Sequence, residues 1–200
     1  MRIVLIIVAV FVSGMVQGEI NTNLQERLLA MEISDQKIRK KITEYGSDQI
    51  PKEFLETVKQ IDSNNTDELK KIVIEHGWPT KKLVGSKGVS AAFLIVQHSS
   101  DIEFKFSLLP SLKASYRNGE GISGQQIALF TDKILTTKGK KQIYGTQFDV
   151  KKSEIIFRPI ENEKTVDGLR AELKLPPLGY YKKVLEELYG IKDHPDIEMN

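Results

Sequence analysis

The order of hydrophobic and polar positions predicts a mainly helical protein built around one apolar segment. Residues 89–101 are the most apolar run outside the N-terminus, and residues 91–96 are apolar on every side. Such a run is typical of a helix that is buried all round. It ends in Gln97, His98 and Asp101. Because polar groups at the edge of a core need hydrogen-bond partners, we expect other parts of the chain to bring donors and acceptors to this point.

A further helix is predicted over residues 22–45, with one carboxylate inside its apolar stripe. The stripe consists of Leu24, Leu28, Met31, Ile38, Ile42 and Tyr45. These positions share one helical face. Asp35 fills the longest gap in the stripe, where a carboxylate needs a partner. Two partners are open: Arg39, one helical turn further on and with Gln36 nearby, or His98, reached across the core.

The same spacing, together with caps and breaks, predicts the remaining helices. They cover residues 52–61, 65–76, 100–112, 123–139, 166–173 and 178–189. Asn65 is predicted to cap the second of these after a loop at 62–65, and Ser123 with Gln126 forms a capping box. Trp78 precedes Pro79 and must leave the helix, so it either fills the core or lines a pocket.

Residues 142–160 change to a period of two, which predicts a β-hairpin. Polar and apolar residues alternate over 142–150, and a second strand is predicted over 154–160, after a turn at residues 151–153. Pro159 ends this strand or places it at an edge. The predicted fold class is therefore mainly α: a single-domain helical bundle with one small β-hairpin near residues 142–160.

Residues 1–18 have the pattern of a secretory signal peptide. Arg2 precedes about ten apolar residues, and Val16 and Gly18 provide small side chains before a cleavage site. The apolar run is shorter than the roughly twenty residues of a membrane span, and an uncleaved anchor is the alternative. We predict a signal peptide (1–18), one helical domain (19–192) and a loose tail (193–200). The mature protein would be exported, periplasmic or extracellular, with no stable membrane span after cleavage.

Composition and charge exclude several classes of function. The 29 basic and 27 acidic side chains nearly balance, so the charge does not favour a nucleic-acid partner. Cysteine is absent, which excludes disulfides, thiol nucleophiles and cysteine-based metal sites. The expected partner is a small molecule or a component of the cell envelope.

Polar motifs along the chain carry a family resemblance. They are Asp35-Gln36-x-x-Arg39, Gly77-Trp78-Pro79, Gln97-His98-x-x-Asp101, Asp132-Lys133, Gln142-x-Tyr144-Gly145-Thr146-Gln147 and Val166-Asp167-x-x-Arg170. Over nearly all of the chain after residue 18, this succession resembles a bacterial family of domains of unknown function. In such proteins the position of Lys133 is more often arginine. The resemblance implies that these polar positions belong together, and it implies no particular activity.

The enzyme hypothesis uses His98 as general acid and base, because an imidazole transfers protons near neutral pH. Asp35 or Asp101 would orient the ring, and Tyr144 would donate a hydrogen bond beside it. The substrate would be held by Gln36, Arg39, Trp78, Gln97, Asp132, Thr146 and Gln147. Asp132 is expected at the rim of its helix. Because no G-x-S-x-G motif and no cysteine supply a nucleophile, the reaction would be a hydrolase or lyase step, most simply one that activates water.

Two other hypotheses use the same residues. A metal site would take His98 and Asp101 with Asp35 or Asp132, but catalytic zinc normally has two or three histidine ligands, so we expect no metal and no cofactor. A non-catalytic ligand- or partner-binding module would use the same polar residues as a closed network that fastens the hairpin to the bundle. The distinguishing observation is whether His98, Tyr144 and Gln147 face an open cleft.

Overall fold

The computed structural model describes residues 19–44 and 50–197. The predicted signal peptide, residues 45–49 and the last three residues of the predicted tail lie outside this range. The described elements are α1 (Thr22–Glu44), α2 (Lys52–His76), α3 (Lys81–His98), α4 (Ile102–Arg117), α5 (Gly124–Thr137), β1 (Phe148–Lys151), β2 (Glu154–Phe157), α6 (Val166–Glu172) and α7 (Leu178–Leu188). The predicted mainly α fold with a small hairpin is confirmed. Within this range, no helix combines the length and apolarity needed to cross a bilayer.

The core forms where α1 packs against α3. Helix α1 buries the predicted stripe up to Ile38, and α3 buries both faces of its apolar run. Near its start α3 is interrupted at Gly85, whose φ of 66° is the left-handed conformation that glycine adopts most readily. Gln25 of α1 lies against this break and donates a hydrogen bond to the Val84 carbonyl at 2.7 Å. The two helices therefore approach closely at this break.

One continuous helix, α2, replaces the two helices and the loop that the sequence predicts there. Thr66 Oγ1 donates to the Asp62 carbonyl at 2.7 Å, within the helix. Asp62 also accepts two hydrogen bonds from Arg39 of α1. Asn65, predicted to be a cap, is buried and donates to the Met31 carbonyl of α1. The prediction of a loop is wrong because these polar side chains, which would favour a turn in isolation, lie at the contact between two helices.

Helices α4 and α5 pack against each other, and each begins at a capped residue. Asp101 caps α4 by accepting a hydrogen bond from the Phe104 amide at 2.9 Å. The predicted capping box of Ser123 and Gln126 opens α5, with both reciprocal hydrogen bonds present. Pro110 lies inside α4 at an exposed position. The start of α4 thus follows the end of α3 after three residues, next to His98.

The hairpin is shorter than predicted. Strands β1 and β2 pair in antiparallel register, and Lys152 and Ser153 at the turn have φ values of 49° and 57°. Positive φ at both central residues is the requirement of a type I′ hairpin turn. Residues 142–147 do not continue β1 and instead form a loop over α5. The prediction of a strand there is wrong because the amides of this loop bind a side chain of α5.

The first part of the predicted loose tail is anchored to α7. His194 Nε2 lies 2.7 Å from Glu186 Oε2, and Lys183 Nζ lies 2.7 Å from Asp196 Oδ2. Ile197 is buried. Residues 193–197 therefore pack on the domain, because they supply one apolar side chain and two polar partners for the last helix.

Candidate functional site

Asp35 is the centre of the first polar cluster. Its side chain is 1% exposed and lies in the gap of the α1 stripe. His98 Nδ1, at the end of α3, lies 2.8 Å from Asp35 Oδ1 and 3.0 Å from Oδ2. Arg39 Nη1 lies 2.8 Å from Oδ1, and Gln36 Nε2 donates to Oδ2 at 2.8 Å. Both partners that the sequence left open for Asp35 are therefore present at once.

The imidazole of His98 is held at one nitrogen and open at the other. A carboxylate accepts hydrogen bonds but cannot donate them, so Nδ1 carries the proton that points at Asp35. Nε2 has no hydrogen-bond partner among residues 19–44 and 50–197, and the side chain is 21% exposed. In this tautomer the lone pair is on Nε2, which no described residue binds. This is the arrangement that a general base requires.

Arg39 extends this cluster to α2. Its Nη2 donates to both carboxylate oxygens of Asp62 at 2.9 Å. The contact of Nη1 with Asp35 is an ion pair by distance and lacks the alignment of a hydrogen bond. Because Arg39 is shared between two carboxylates, its position is fixed without using all the acceptor capacity of Asp35. Asp62 was not among the predicted site residues. The sequence predicts a loop at residues 62–65, and a loop there gives no indication of a partner on α1.

Asp132 is the centre of a second polar cluster, and it is completely buried instead of lying at the rim of α5 as predicted. Its carboxylate accepts hydrogen bonds from the amides of Ile143, Tyr144 and Thr146 and from Thr146 Oγ1, at 2.8 to 3.2 Å. The left-handed φ of 70° at Gly145 turns the loop so that these donors converge. Asp132 thus fastens the loop of residues 142–147 to α5.

Two residues outside the predicted site complete this second cluster. Gln142 is fully buried; its Nε2 donates to the carbonyls of Gln147 and Arg158, and its Oε1 accepts from the Gln147 amide. Arg170 is 2% exposed and donates to the carbonyls of Tyr144 and Pro176 at 2.7 Å. Burial lowers the pKa of the Arg170 guanidinium. Both residues belong to the motifs that carry the family resemblance. Those motifs are the sequence signal from which they could have been predicted as site residues.

A cavity of about 450 Å³ lies between the end of α3, the start of α4 and one face of α5. Gln97 and Gln147, both predicted to bind substrate, line it. His98 is not among its lining residues. Successive residues of a helix point about 100° apart, and His98 faces α1 while Gln97 faces the cavity. The first cluster and the cavity therefore lie on neighbouring sides of the same helix end.

The remaining predicted site residues lie apart from His98. Asp101 caps α4 and binds Lys70 Nζ at 2.7 Å, which lowers the pKa of the Asp101 carboxyl. Trp78 belongs to the apolar core. Tyr144 is buried beside Asp132, and burial raises the pKa of its phenol, so it remains a neutral hydroxyl. No hydrogen bond between described residues joins the Asp35 cluster to the Asp132 cluster.

Comparison with known families agrees with the resemblance found in the motifs. One sequence model, that of a family of unknown function (DUF6624), matches residues 22–194 and so covers most of the chain. The chain belongs to DUF6624. No curated protein and no solved structure matches it. Membership in DUF6624 implies no particular reaction.

The geometry of this DUF6624 chain is suited to proton transfer. Within the described ranges, no group of three histidine, aspartate or glutamate side chains is arranged to hold a metal ion. The candidate metal ligands in the sequence were His98, Asp35, Asp101 and Asp132. Asp101 instead binds Lys70, and Asp132 binds backbone amides. Only the pair of Asp35 and His98 remains, and it has the form of an oriented imidazole.

Proposed function

We propose that this protein is an acid–base enzyme in which Asp35 orients His98 for proton transfer in a hydrolase- or lyase-type reaction. The observation that supports it is the contact between the buried Asp35 carboxylate and His98 Nδ1, which leaves Nε2 without a partner among the described residues on a side chain that is 21% exposed. An oriented imidazole is the commonest general acid and base in enzymes, and its contribution is typically 100-fold or more.

The proposed hydrolytic step balances with water as the only co-reactant. Nε2 of His98 takes a proton from water as the water oxygen bonds to the electrophilic atom of the substrate. The imidazolium formed is stabilised by the carboxylate of Asp35 through Nδ1. When the bond to the leaving group breaks, Nε2 returns the proton to the leaving group. Gln36 and Arg39 keep the Asp35 carboxylate in place during the cycle.

We also infer that the enzyme works outside the cytoplasm. Residues 1–18 have a basic start, an apolar run and small residues before a cleavage site. The absence of cysteine is compatible with an oxidising compartment. The proposed substrate is accordingly a small molecule or an envelope component met in the periplasm or outside the cell.

The test is the reactivity of the imidazole towards p-nitrophenyl acetate, a generic ester that an accessible imidazole cleaves. His98→Gln should remove most of the nitrophenol release, up to about 100-fold, while the melting temperature stays close to that of the parent protein. Asp35→Asn should also lower the rate, because an amide no longer selects the proton position on Nδ1.

The matched control is His76→Gln, which removes an exposed histidine at the end of α2. It should leave the rate unchanged. Equal rates for the parent protein, His98→Gln and His76→Gln would reject His98 as the acid–base group. A His98→Gln protein that does not fold would assign the ring to the core instead.

A second candidate function is favoured by the cavity beside Gln97. Its volume lies within the range of small-molecule sites, about 300–1,000 Å³, and His98 is not among its lining residues. In this alternative the protein is a non-catalytic ligand-binding module, and the polar clusters hold its walls in place. Binding that persists in His98→Gln without turnover would support it.

A further inference from the structure

We propose that the cavity between α3, α4 and α5 binds an amphiphilic carboxylate, a molecule with an apolar body and one compact anionic head. The proposal rests on the cavity, its apolar walls and two lysines, and not on the chemistry of His98. It therefore stands or falls separately from the proposed enzyme activity.

The walls of the cavity are suited to an apolar body. Phe93 and Phe130 form a tilted ring pair with centroids 5.7 Å apart, and Ile102, Leu129 and Ile134 line the same space. Leu129 is 38% exposed and adds an accessible aliphatic side chain to these walls. Burial of aliphatic or aromatic carbon against these side chains provides the nonpolar part of binding.

Two lysines face the cavity with no acid between them. Lys105 Nζ donates to the Gln97 carbonyl at 2.8 Å and lies 5.9 Å from the centroid of the Phe130 ring. Lys133 also lines the cavity and forms no ion pair with a described residue. No aspartate or glutamate is among the described residues of the lining. The site is consequently positive and apolar, which is complementary to an amphiphilic anion.

The electrostatics of Lys105 support this assignment. Burial lowers the pKa of its ammonium group, and the neighbouring positive charge of Lys133 lowers it further, while Asp62 of α2 opposes the shift. The charged form of a lysine that is desolvated and repelled by a like charge is stabilised when a counter-ion binds beside it. An anionic head between the two lysines provides that counter-ion. The amides of Gln97, Gln126 and Gln147 line the same cavity and supply hydrogen bonds to it.

The experiment is isothermal titration calorimetry of the purified protein with decanoate, decanol and decylamine, each below its micellar concentration. Decanoate should bind at least about tenfold more tightly than decanol, and decylamine should bind most weakly. Lys133→Glu should lower the affinity for decanoate about tenfold and raise the affinity for decylamine. Lys105→Met should weaken decanoate to a similar extent. Lys87→Met, at an exposed lysine of α3 outside the cavity, should change nothing.

Each outcome decides the proposal. Equal affinities for decanoate and decanol, no measurable binding of decanoate, or unchanged binding in both cavity variants would overturn it. If Lys105→Met does not fold, Lys133→Glu tests the proposal alone, because a substitution at the exposed Lys133 leaves the fold intact. His98→Gln should bind decanoate as the parent protein does; a loss as large as that of the lysine variants would mean that the site is elsewhere.

Discussion

Asp35 and Asp132 are both buried carboxylates, but their partners are of different kinds. Asp35 is held by the side chains of His98, Arg39 and Gln36, which come from two helices. Asp132 is held mainly by backbone amides of one loop. Of these partners, His98 can exchange a proton, whereas a backbone amide only donates a hydrogen bond. The proposed chemistry therefore depends on the Asp35 cluster, and the Asp132 cluster fastens the loop of residues 142–147 to α5.

Asp132→Ala should be strongly destabilising. The substitution leaves the amides of Tyr144 and Thr146 buried without an acceptor, at about 1–3 kcal/mol for each group. We expect a loss of roughly 3 kcal/mol or more in the free energy of unfolding, measured by urea titration with circular dichroism. Lys133→Ala, at the next and exposed position, should change it by less than about 0.5 kcal/mol. A loss below about 1 kcal/mol in Asp132→Ala would contradict the assigned role.

Asp101→Asn should change the acid dependence of stability. Asparagine caps a helix as well as aspartate does, so the variant keeps the cap of α4 and loses the charge that pairs with Lys70. The pKa of Asp101 is lowered in the folded state by Lys70, so its stabilisation is present above the ordinary carboxyl pKa. It is lost as the pH falls through the lowered value.

The parent protein should accordingly exceed Asp101→Asn in stability at neutral pH, by less than about 1 kcal/mol because the pair is partly exposed. The difference should disappear in strong acid. Urea titrations across the pH range measure it. Glu163→Gln, at an exposed acid, should show the parental profile, and a constant difference between Asp101→Asn and the parent at all pH values would rule the ion pair out.

Single residues were predictable where a local pattern placed them and not where a distant segment did. Asp35 interrupts a helical stripe, so its burial and its need for a partner follow from spacing alone. Asp132 lies beside a helical stripe, and its hydrogen-bond donors come from the loop of residues 142–147. Lys105 carries no sequence signal at all, because its surroundings come from α3 and α5.

At the scale of elements, the loop of residues 142–147 depends on one glycine. Gly145 has a φ of 70°, and a Cβ there would lie 2.7 Å from Leu178 Cδ1 of α7. Gly145→Ala should therefore lower the free energy of unfolding by about 1–2 kcal/mol, the usual penalty of a left-handed non-glycine residue. Thermal and urea unfolding measure this change.

The matched control for this variant is Gly179→Ala. Gly179 is in α7, next to Leu178, and a Cβ there meets nothing within 4 Å. Alanine at this helical position should leave stability unchanged or raise it by up to about 1 kcal/mol. Equal effects of the two substitutions would show that the backbone conformation at Gly145 is unimportant.

Elements followed from the sequence where periodicity and caps agreed. Helices α1 and α5 have clear stripes or caps, and their predicted extents match closely. Helix α3 begins at Lys81, well before the apolar run at residues 89–101 from which it was predicted. Helix α2 was divided in two because the cluster of polar residues at 62–65 resembles a turn. Its partners, Arg39 and Met31, lie on another helix, and such contacts are not encoded in local spacing.

For the whole molecule, the desolvated lysine of the cavity is a source of instability. Burial lowers the pKa of Lys105, with Lys133 of α5 adding to the shift and Asp62 of α2 opposing it. Below this lowered pKa the folded protein carries the unfavourable buried charge of Lys105. The free energy of unfolding therefore rises as the pH increases through that value. Functional groups commonly carry such a cost.

Lys105→Met should for this reason melt a few degrees higher than the parent protein at neutral pH. The difference should narrow as the pH rises from the lowered pKa of Lys105 towards the ordinary lysine pKa, because the folded parent protein has then lost the buried charge. Differential scanning calorimetry over a pH series measures both effects. A lower melting temperature for Lys105→Met at every pH would show that its contacts with the Gln97 carbonyl and Phe130 outweigh the burial of its charge.

Trp78 gives the molecule an optical probe of its own core. It is the sole indole of the chain, it is buried between α2 and α3, and its Nε1 has no hydrogen-bond acceptor in the part of the chain that the structure describes. An indole in such dry surroundings emits at shorter wavelength than one in water. Every unfolding event that wets the core should therefore appear as one red shift from one fluorophore, without any label.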